Sequence, residues 1–193
     1  MSLIPAFEIG LWNAWIFVFP VFIIPHLITK RYRSRSGNEE MYQTNKKENK
    51  LFAVLMVIVF TALIYSIFSP LRLGTLWFYG GLSINLVGVA LAIISTLNFA
   101  TTPLDKPVTK GIYRISRNPM YFGGLLTYIG TGLACISWIY PILALVFMVV
   151  MHTLLISEER FCLEKYGKVC REYMEKTPRW IGIPKPVRSG ERR

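Results

Sequence analysis

The chain has 193 residues, of which 53% are hydrophobic and only 17% are charged, and its mean hydropathy is +0.41. Because a soluble domain carries about 25% charged residues, this composition excludes an ordinary soluble domain and predicts one integral membrane domain over residues 1–193. The 22 Lys and Arg residues against 11 Asp and Glu residues give a net charge of +11, which suggests nucleic acid or anionic lipid as a partner.

Five apolar segments approach the roughly 20 residues that a transmembrane helix needs. No Lys or Arg precedes the first segment, so we do not expect it to be a secretory signal. Residues 120–156 contain no charged side chain and are long enough for two short spans, with a turn at residues 137–141. The predicted spans before this stretch are residues 9–28, 51–68 and 76–97.

Basic residues are concentrated in the connections on one predicted side of the bundle. The segments 29–50, 98–119 and 157–193 hold 21 of the 22 Lys and Arg residues, and the remaining Arg72 lies between the second and third spans. With five spans, the positive-inside rule places the N-terminus outside and the C-terminus in the cytoplasm. Contact with anionic lipid explains the basic character, so we expect no nucleic-acid partner.

This reasoning predicts an all-α polytopic membrane protein with five transmembrane helices and an amphipathic C-terminal helix. In a prokaryote it would lie in the cell membrane, with its chemistry on the cytoplasmic face. Glycine permits close helix approach, and Gly80 with Gly88, and Gly124 with Gly132, lie roughly on one face of their spans. Asn85 is expected to form a hydrogen bond between helices.

The connection between the third and fourth spans is the first polar stretch that could carry chemistry. Pro103, Pro107 and Gly111 predict an irregular, ordered loop over residues 98–119. Asn118 is a good helix cap and Pro119 suits the first helical position, so the fourth span would point free N–H groups at the cytoplasm. Such an end suits a carboxylate or a ribose, although an ordinary helix start has the same sequence.

The second polar stretch follows the fifth span and contains the adjacent carboxylates Glu158 and Glu159. Residues 162–174 show the 3–4 spacing of an amphipathic helix, which Pro178 would end. Ser157 could cap a new helix in which both glutamates are favourable first-turn residues. Alternatively, the fifth span runs straight into this helix, and the carboxylates then need other partners.

Cysteines and histidines give no sign of a cross-link or a metal site. Cys135, Cys162 and Cys170 are odd in number and lack zinc-site spacing, so we expect small buried side chains and no disulfide framework. His26 and His152 have no second ligand at metal spacing, and we expect buried, hydrogen-bonded imidazoles.

The stretches 108–124 and 158–180 resemble the isoprenylcysteine carboxyl methyltransferase family, which belongs to a wider group with phospholipid methyltransferases. The resemblance rests on the following residues, in order: Gly111 and Tyr113, Arg117-Asn118-Pro119-Met120-Tyr121, Glu158-Glu159, Leu163, Tyr166-Gly167, Tyr173 and Pro178-Arg179. It implies a catalytic half over residues 98–180, followed by a basic tail over residues 181–193. The short chain is similar to prokaryotic members with five spans.

Three positions depart from the family pattern. Asn118 stands where members usually carry histidine, and because an amide does not titrate, only a positioning role would survive there. Cys170 stands where tyrosine is usual. Leu154 aligns with an arginine that eukaryotic members carry in connection with their substrate, which makes the eukaryotic substrate less certain here.

The resemblance implies an enzyme that uses S-adenosyl-L-methionine and releases S-adenosyl-L-homocysteine. A glutamate of the protein would pair with the ammonium or the ribose of this cofactor, and aromatic side chains would face its sulfonium. A helix N-terminus would bind its carboxylate. By the same resemblance, the cofactor-binding residues are Asn98, Val108, Tyr113, Asn118, Pro119, Met120, Tyr121 and Glu158.

The methyl acceptor implied by the resemblance is a lipophilic, isoprenylcysteine-like carboxylate that enters from the bilayer. Such a nucleophile needs no general base, and Arg114 or Arg117 could position it. If the acceptor is an amine, as in a phospholipid N-methyltransferase, Glu159 is the nearest proton acceptor. An NADPH-dependent membrane reductase with a similar C-terminal half and a non-enzymatic membrane protein are further alternatives. An ion carrier is disfavoured because no charged residue lies inside a predicted span.

Overall fold

The computed structural model describes residues 9–32, 46–103 and 105–182, and their regular structure is helical. No β-strand occurs in these ranges, and a single bridge pairs Asn13 with Pro70. The prediction of an all-α protein is therefore confirmed for the described residues. The helices are α1 (Trp15–Val18), α2 (Pro20–Arg31), α3 (Lys46–Phe68), α4 (Leu76–Ala100), a 3-10 turn (Gly111–Arg114), α5 (Pro119–Cys135), α6 (Ile139–Tyr166) and α7 (Lys168–Lys176).

Three of the described helices are long and apolar enough to cross a membrane: Glu48–Phe68, Leu76–Ala100 and Ile139–Tyr166. They correspond to the predicted second, third and fifth spans. The first predicted span is divided between α1 and α2 at Phe19, because Pro20 has no N–H to continue the helical ladder. With 17 residues, α5 measures about 26 Å, slightly less than a bilayer core. Five spans and their orientation stay predictions.

Helices α4 and α5 pack against each other through glycines that bring the two backbones together. A Cβ added at Gly88 would lie 2.7 Å from the carbonyl oxygen of Gly123, and one at Gly130 would lie 2.6 Å from that of Gly81. Within each helix the two glycines are seven residues apart. Seven residues rotate by about 20° less than two full turns, so this spacing keeps the glycines on one face.

The expected spacing of eight residues was therefore wrong as a guide to this interface. Gly88 lies in the contact, but a Cβ at Gly80 would meet nothing within 4 Å, and one at Gly124 only Phe147 at 3.8 Å. Gly132 lies instead against Pro141, next to the turn between α5 and α6. The predicted interhelical role of Asn85 is confirmed, since its side chain donates to the carbonyl oxygen of Phe17 at 3.4 Å.

Helix α6 continues without a break through Ser157 and both glutamates, so of the two alternatives the uninterrupted fifth span is confirmed and the helix start at Ser157 was wrong. The hydroxyl of Ser157 does not cap a helix but donates to Glu48 on α3, at 2.5 Å. Arg160 donates to the same carboxylate at 3.0 Å, and only 4% of Glu48 is exposed. A buried charge thus ties the ends of α3 and α6, and the amphipathic helix begins only at Lys168.

A disulfide joins Cys162 to Cys170, which corrects the expectation of three separate thiols. In one continuous helix these residues would lie about 12 Å apart, too far for a bond. Gly167 ends α6 with a φ of +55°, and the chain turns there so that the two Cα atoms are 6.1 Å apart. Cys135 is the free, buried cysteine of the described residues.

The two histidines were also expected to be buried, and both are exposed. The Nε2 atom of His152 lies 3.4 Å from an Arg179 nitrogen, so its neighbour belongs to the C-terminal segment rather than to the core.

Candidate active site

A cleft of about 530 Å³ opens where the 98–119 connection meets the end of α6 and the amphipathic helix α7. Both stretches singled out in the sequence contribute to its wall, together with one turn of α2. The lining residues are Thr29, Phe99, Pro107, Val108, Tyr113, Arg117, Asn118, Met120, Tyr121, Glu158, Glu159, Phe161, Cys162, Tyr166, Cys170, Tyr173 and Met174.

Six of the eight residues expected to bind the cofactor line this cleft: Val108, Tyr113, Asn118, Met120, Tyr121 and Glu158. The other two support it from behind. Pro119 is buried at the first position of α5. Asn98 packs beneath Gly111, whose φ of +59° and lack of a side chain allow the close approach. This contact supports the 3-10 turn that carries Tyr113.

Glu158 is the carboxylate that faces the cleft with a neutral partner. The hydroxyl of Tyr121, in the first turn of α5, donates to Glu158 Oε1 at 2.9 Å. The residue is half-buried, so its charge lies next to the cleft without being fully desolvated. A carboxylate in this position can accept hydrogen bonds from ammonium or hydroxyl groups of a ligand.

Glu159 is held in a different way, between two arginines. Arg179 donates from Nε and Nη2 to the two carboxylate oxygens, at 2.8 and 2.6 Å, in a bidentate pair. Arg117 Nη1 lies 3.0 Å from Glu159 Oε1. The hydrogen bond to Glu159 raises the pKa of Arg179, which stays charged. This engagement makes Glu159 part of the scaffold and argues against its suggested role as a proton acceptor.

Arg117 and Arg114, the two candidates for positioning an acceptor, are placed differently. Arg114 is exposed and does not line the cleft, whereas Arg117 does. Burial lowers the pKa of Arg117, and the nearby Glu159 carboxylate partly offsets this effect. Its Nε and Nη1 atoms are buried and have no hydrogen-bond partner among the described residues, although Nη1 forms the ion pair with Glu159. Arg117 therefore adds a positive charge to the cleft wall, next to Glu159.

The segment after α6 is held against the 98–119 connection by hydrogen bonds that backbone carbonyl oxygens of both segments accept. Tyr173 donates its hydroxyl to the carbonyl oxygen of Tyr113 at 2.7 Å, and burial raises the pKa of this phenol, so it stays a donor. Arg117 N donates to the carbonyl oxygen of Pro178 at 3.0 Å. Asn118 donates its amide to Arg179 O at 3.0 Å and makes no cap, which corrects the expected capping role.

Several wall residues had no assigned role from the sequence. Phe161 and Tyr166 follow the glutamates on α6, and their 3–4 spacing from Glu158 and Cys162 would have placed them near the same face. Arg179 was part of the family pattern, but its partner was not evident. Thr29 comes from α2, and no local sequence pattern indicates that the C-terminal end of α2 lies near the 98–119 connection.

The sequence profile of the family described as phospholipid methyltransferase matches residues 49–169, which run from the start of α3 into α7. This match covers more than half of the chain and most of the cleft wall. The chain belongs to the phospholipid methyltransferase family.

Membership in the phospholipid methyltransferase family, together with the three long apolar helices, makes the chain a membrane protein of a methyltransferase family. The predicted membership of the wider group is confirmed, and the isoprenylcysteine branch stays a prediction. No curated protein and no solved structure matches the chain. The family match argues against the reductase and the non-enzymatic alternatives, because the family is one of methyltransferases.

Proposed function

We propose that this member of the phospholipid methyltransferase family methylates a lipid-borne nucleophile with S-adenosyl-L-methionine as the donor. The observation that carries the proposal is the pairing of Glu158 with Tyr121 in a cleft whose wall also includes the guanidinium of Arg117. Carboxylate, aromatic and guanidinium groups in one wall match the cationic and anionic ends of this cofactor.

The cleft has suitable groups for each part of the cofactor. A volume of about 530 Å³ lies in the range of small-ligand sites. Glu158 would accept hydrogen bonds from the ammonium or the ribose, and Tyr113 and Tyr121 would face the sulfonium with their rings. The N-terminus of α5 would receive the carboxylate. When bound, the cofactor supplies an electrophilic methyl group, and the residues of the chain orient the reactants and exclude water.

The acceptor would reach the cleft from the bilayer, and Thr29 of α2 and Phe99 of α4 bring the ends of two apolar helices into the cleft wall. We propose an isoprenylcysteine-like carboxylate as the first acceptor class. A carboxylate nucleophile is already ionised and needs no general base, in agreement with the engagement of Glu159 by two arginines. The positive charge of Arg117 in the cleft wall would attract such a carboxylate.

A phospholipid amine is the second acceptor class, and the family match specifically favours it. Its phosphate would occupy the position at Arg117, but its ammonium must lose a proton before it attacks. With Glu159 held by arginines, Glu158 or water would have to accept this proton. The two classes therefore differ in the role of the carboxylates.

The experiment supplies methyl-labelled cofactor and membranes to the purified protein, with an isoprenylcysteine analogue in one arm and phosphatidylethanolamine in the other. A methyl ester releases labelled methanol in base, whereas an N-methyl group is stable. Base-labile label in the first arm supports the carboxylate, and base-stable label in the lipid fraction supports the amine. Absence of label in both arms, with the protein folded, would contradict the proposed function.

A further inference from the structure

The disulfide between Cys162 and Cys170 lies in the wall of the candidate active site. Cys162 belongs to the last turns of α6 and is partly exposed, whereas Cys170 belongs to the first turn of α7 and is fully buried. Both residues line the cleft. Oxidation and reduction of this pair therefore act on the surface that would contact a ligand.

The bond restrains one joint of the molecule, the turn between α6 and α7. Gly167 is the single residue between these helices, and its φ of +55° makes it the point where the chain changes direction. The ring closed by the disulfide spans residues 162–170 and encloses this glycine. A loop this short constrains the unfolded chain only modestly, so its main effect is on the angle between the two helices.

That angle determines the shape of the cleft, because each helix contributes to the wall. Phe161 and Tyr166 come from α6, while Tyr173 and Met174 come from α7. With the disulfide broken, the hydrogen bond from Tyr173 to Tyr113 still attaches α7 to the loop. Reduction would therefore loosen this wall without detaching the helix.

We propose that Cys162 and Cys170 form a reversible thiol-oxidation site whose state sets the affinity of the cleft for its cofactor. The cofactor part of this inference rests on the proposed function. The basic segments predict that the cleft faces the cytoplasm, and disulfides in that compartment are usually transient or redox-sensing rather than structural. The oxidised form has the more rigid wall and binds more tightly, because less ordering is left for the ligand to impose.

The chemistry of the switch is thiol–disulfide exchange with a glutathione-type thiol. In reduction, an external thiolate attacks Sγ of Cys162, the more exposed residue of the pair, forms a mixed disulfide there and displaces the Cys170 thiolate, which takes up a proton. A second external thiol then releases Cys162 and leaves with the first as a small-molecule disulfide. Two electrons and two protons pass to the protein, and oxidation by the small-molecule disulfide reverses both steps.

The test compares the full-length protein in detergent after treatment with oxidised glutathione or with dithiothreitol. Intact mass establishes the loss of two hydrogens, hydrogen exchange follows residues 168–176, and calorimetry measures S-adenosyl-L-homocysteine binding. We expect faster exchange in the reduced form and an affinity about tenfold lower, equivalent to 1.4 kcal/mol. Cys162→Ser and Cys170→Ser should behave as reduced protein under both treatments. Cys135→Ser, which removes the buried cysteine of α5, should respond like the wild type.

The wild-type comparison needs no substitution, so a variant that fails to fold does not affect it. No disulfide after oxidation, or equal exchange and equal affinity in the two forms, would overturn the inference and leave the proposed function intact. If neither form binds S-adenosyl-L-homocysteine, the proposed function and the effect on affinity both fail. The exchange difference would then show only that the bond restrains the joint between α6 and α7.

Discussion

Glu159 is the residue through which the C-terminal segment is fixed to the rest of the site. Its side chain is 15% exposed and meets Arg179 in a bidentate pair and Arg117 at 3.0 Å. Partial burial and double hydrogen bonding distinguish this pair from a surface ion pair, which contributes little. Removal of Glu159 would leave two arginines without their shared carboxylate, and removal of Arg179 would leave Glu159 with only the Arg117 contact.

A double-mutant cycle on Glu159→Gln and Arg179→Gln should therefore give a favourable coupling energy of about 1–3 kcal/mol in thermal unfolding. The matched control is the pair of Lys168 and Glu172, which are 3.9 Å apart and 89% and 52% exposed. That pair should show little coupling. Equal coupling energies in the two cycles would remove the structural role assigned to Glu159.

Another carboxylate, the buried Glu48, accepts hydrogen bonds from Ser157 and Arg160, which flank the two glutamates of α6. Glu48→Gln should reduce the unfolding free energy by about 1–3 kcal/mol, because a charged hydrogen bond is lost and Arg160 loses the nearer of its two carboxylate partners. Glu172→Gln, at an exposed position of α7, is the control and should have almost no effect. Chemical denaturation in detergent measures both, and an undisturbed midpoint for Glu48→Gln would contradict the tie between α3 and α6.

Among the elements, α4 and α5 make the closest contact through glycines, and this contact positions the loop between them. The Cβ of an alanine at Gly88 would lie 2.7 Å from the Gly123 carbonyl oxygen and 3.0 Å from Thr127 N. Both are backbone atoms, so the helices must separate to accommodate the methyl group. Any such movement would be transmitted to residues 101–118, which enter the cleft wall.

Gly88→Ala should therefore destabilise the protein by about 1–3 kcal/mol, the usual cost of overpacking. Gly80→Ala adds the same methyl group to the same helix where nothing lies within 4 Å. It should be neutral or slightly stabilising, because alanine favours helix more than glycine does. Melting temperatures in one detergent compare the two variants, and a Gly88→Ala protein as stable as Gly80→Ala would disprove the close contact.

For the elements, the sequence predicted the long helices but not the turns and contacts that connect them. The third predicted span, residues 76–97, is close to α4 because long apolar runs define helices locally. The break at Gly167 was missed because the apolar spacing continues across it, and with it the disulfide. The contact between Glu48 and Ser157 joins residues 109 positions apart, and no local pattern encodes such a pair.

For the whole molecule, the orientation in the membrane is the main untested prediction. In a cysteine-free background, Leu73→Cys and Glu172→Cys place thiols at exposed positions, in the link before α4 and on α7. The positive-inside rule predicts that an impermeant maleimide labels Leu73→Cys in intact cells and Glu172→Cys only after permeabilisation. The cysteine-free parent controls for background. Labelling of both positions in intact cells would contradict the five-span topology.

The site as a whole was more predictable than its individual contacts. The two stretches that carried the resemblance do form one cleft, because Tyr113, Asn118, Tyr121 and Glu158 all line it. The sequence did not indicate that Asn98 would lie behind Gly111, nor that Asn118 would bond to the C-terminal segment. These contacts depend on how the C-terminal segment folds back over the loop, which only the three-dimensional structure defines.

The central claim is that the cleft holds the methyl donor through Glu158, and calorimetry with S-adenosyl-L-homocysteine tests it most directly. The wild type should bind, and Glu158→Gln should bind about 10- to 100-fold more weakly, because a charged hydrogen bond contributes about 1.5–3 kcal/mol. Glu164→Gln changes a 67% exposed carboxylate of the same helix outside the cleft and should leave the affinity unchanged. A wild type that does not bind, or a Glu158→Gln protein with wild-type affinity, would contradict the account.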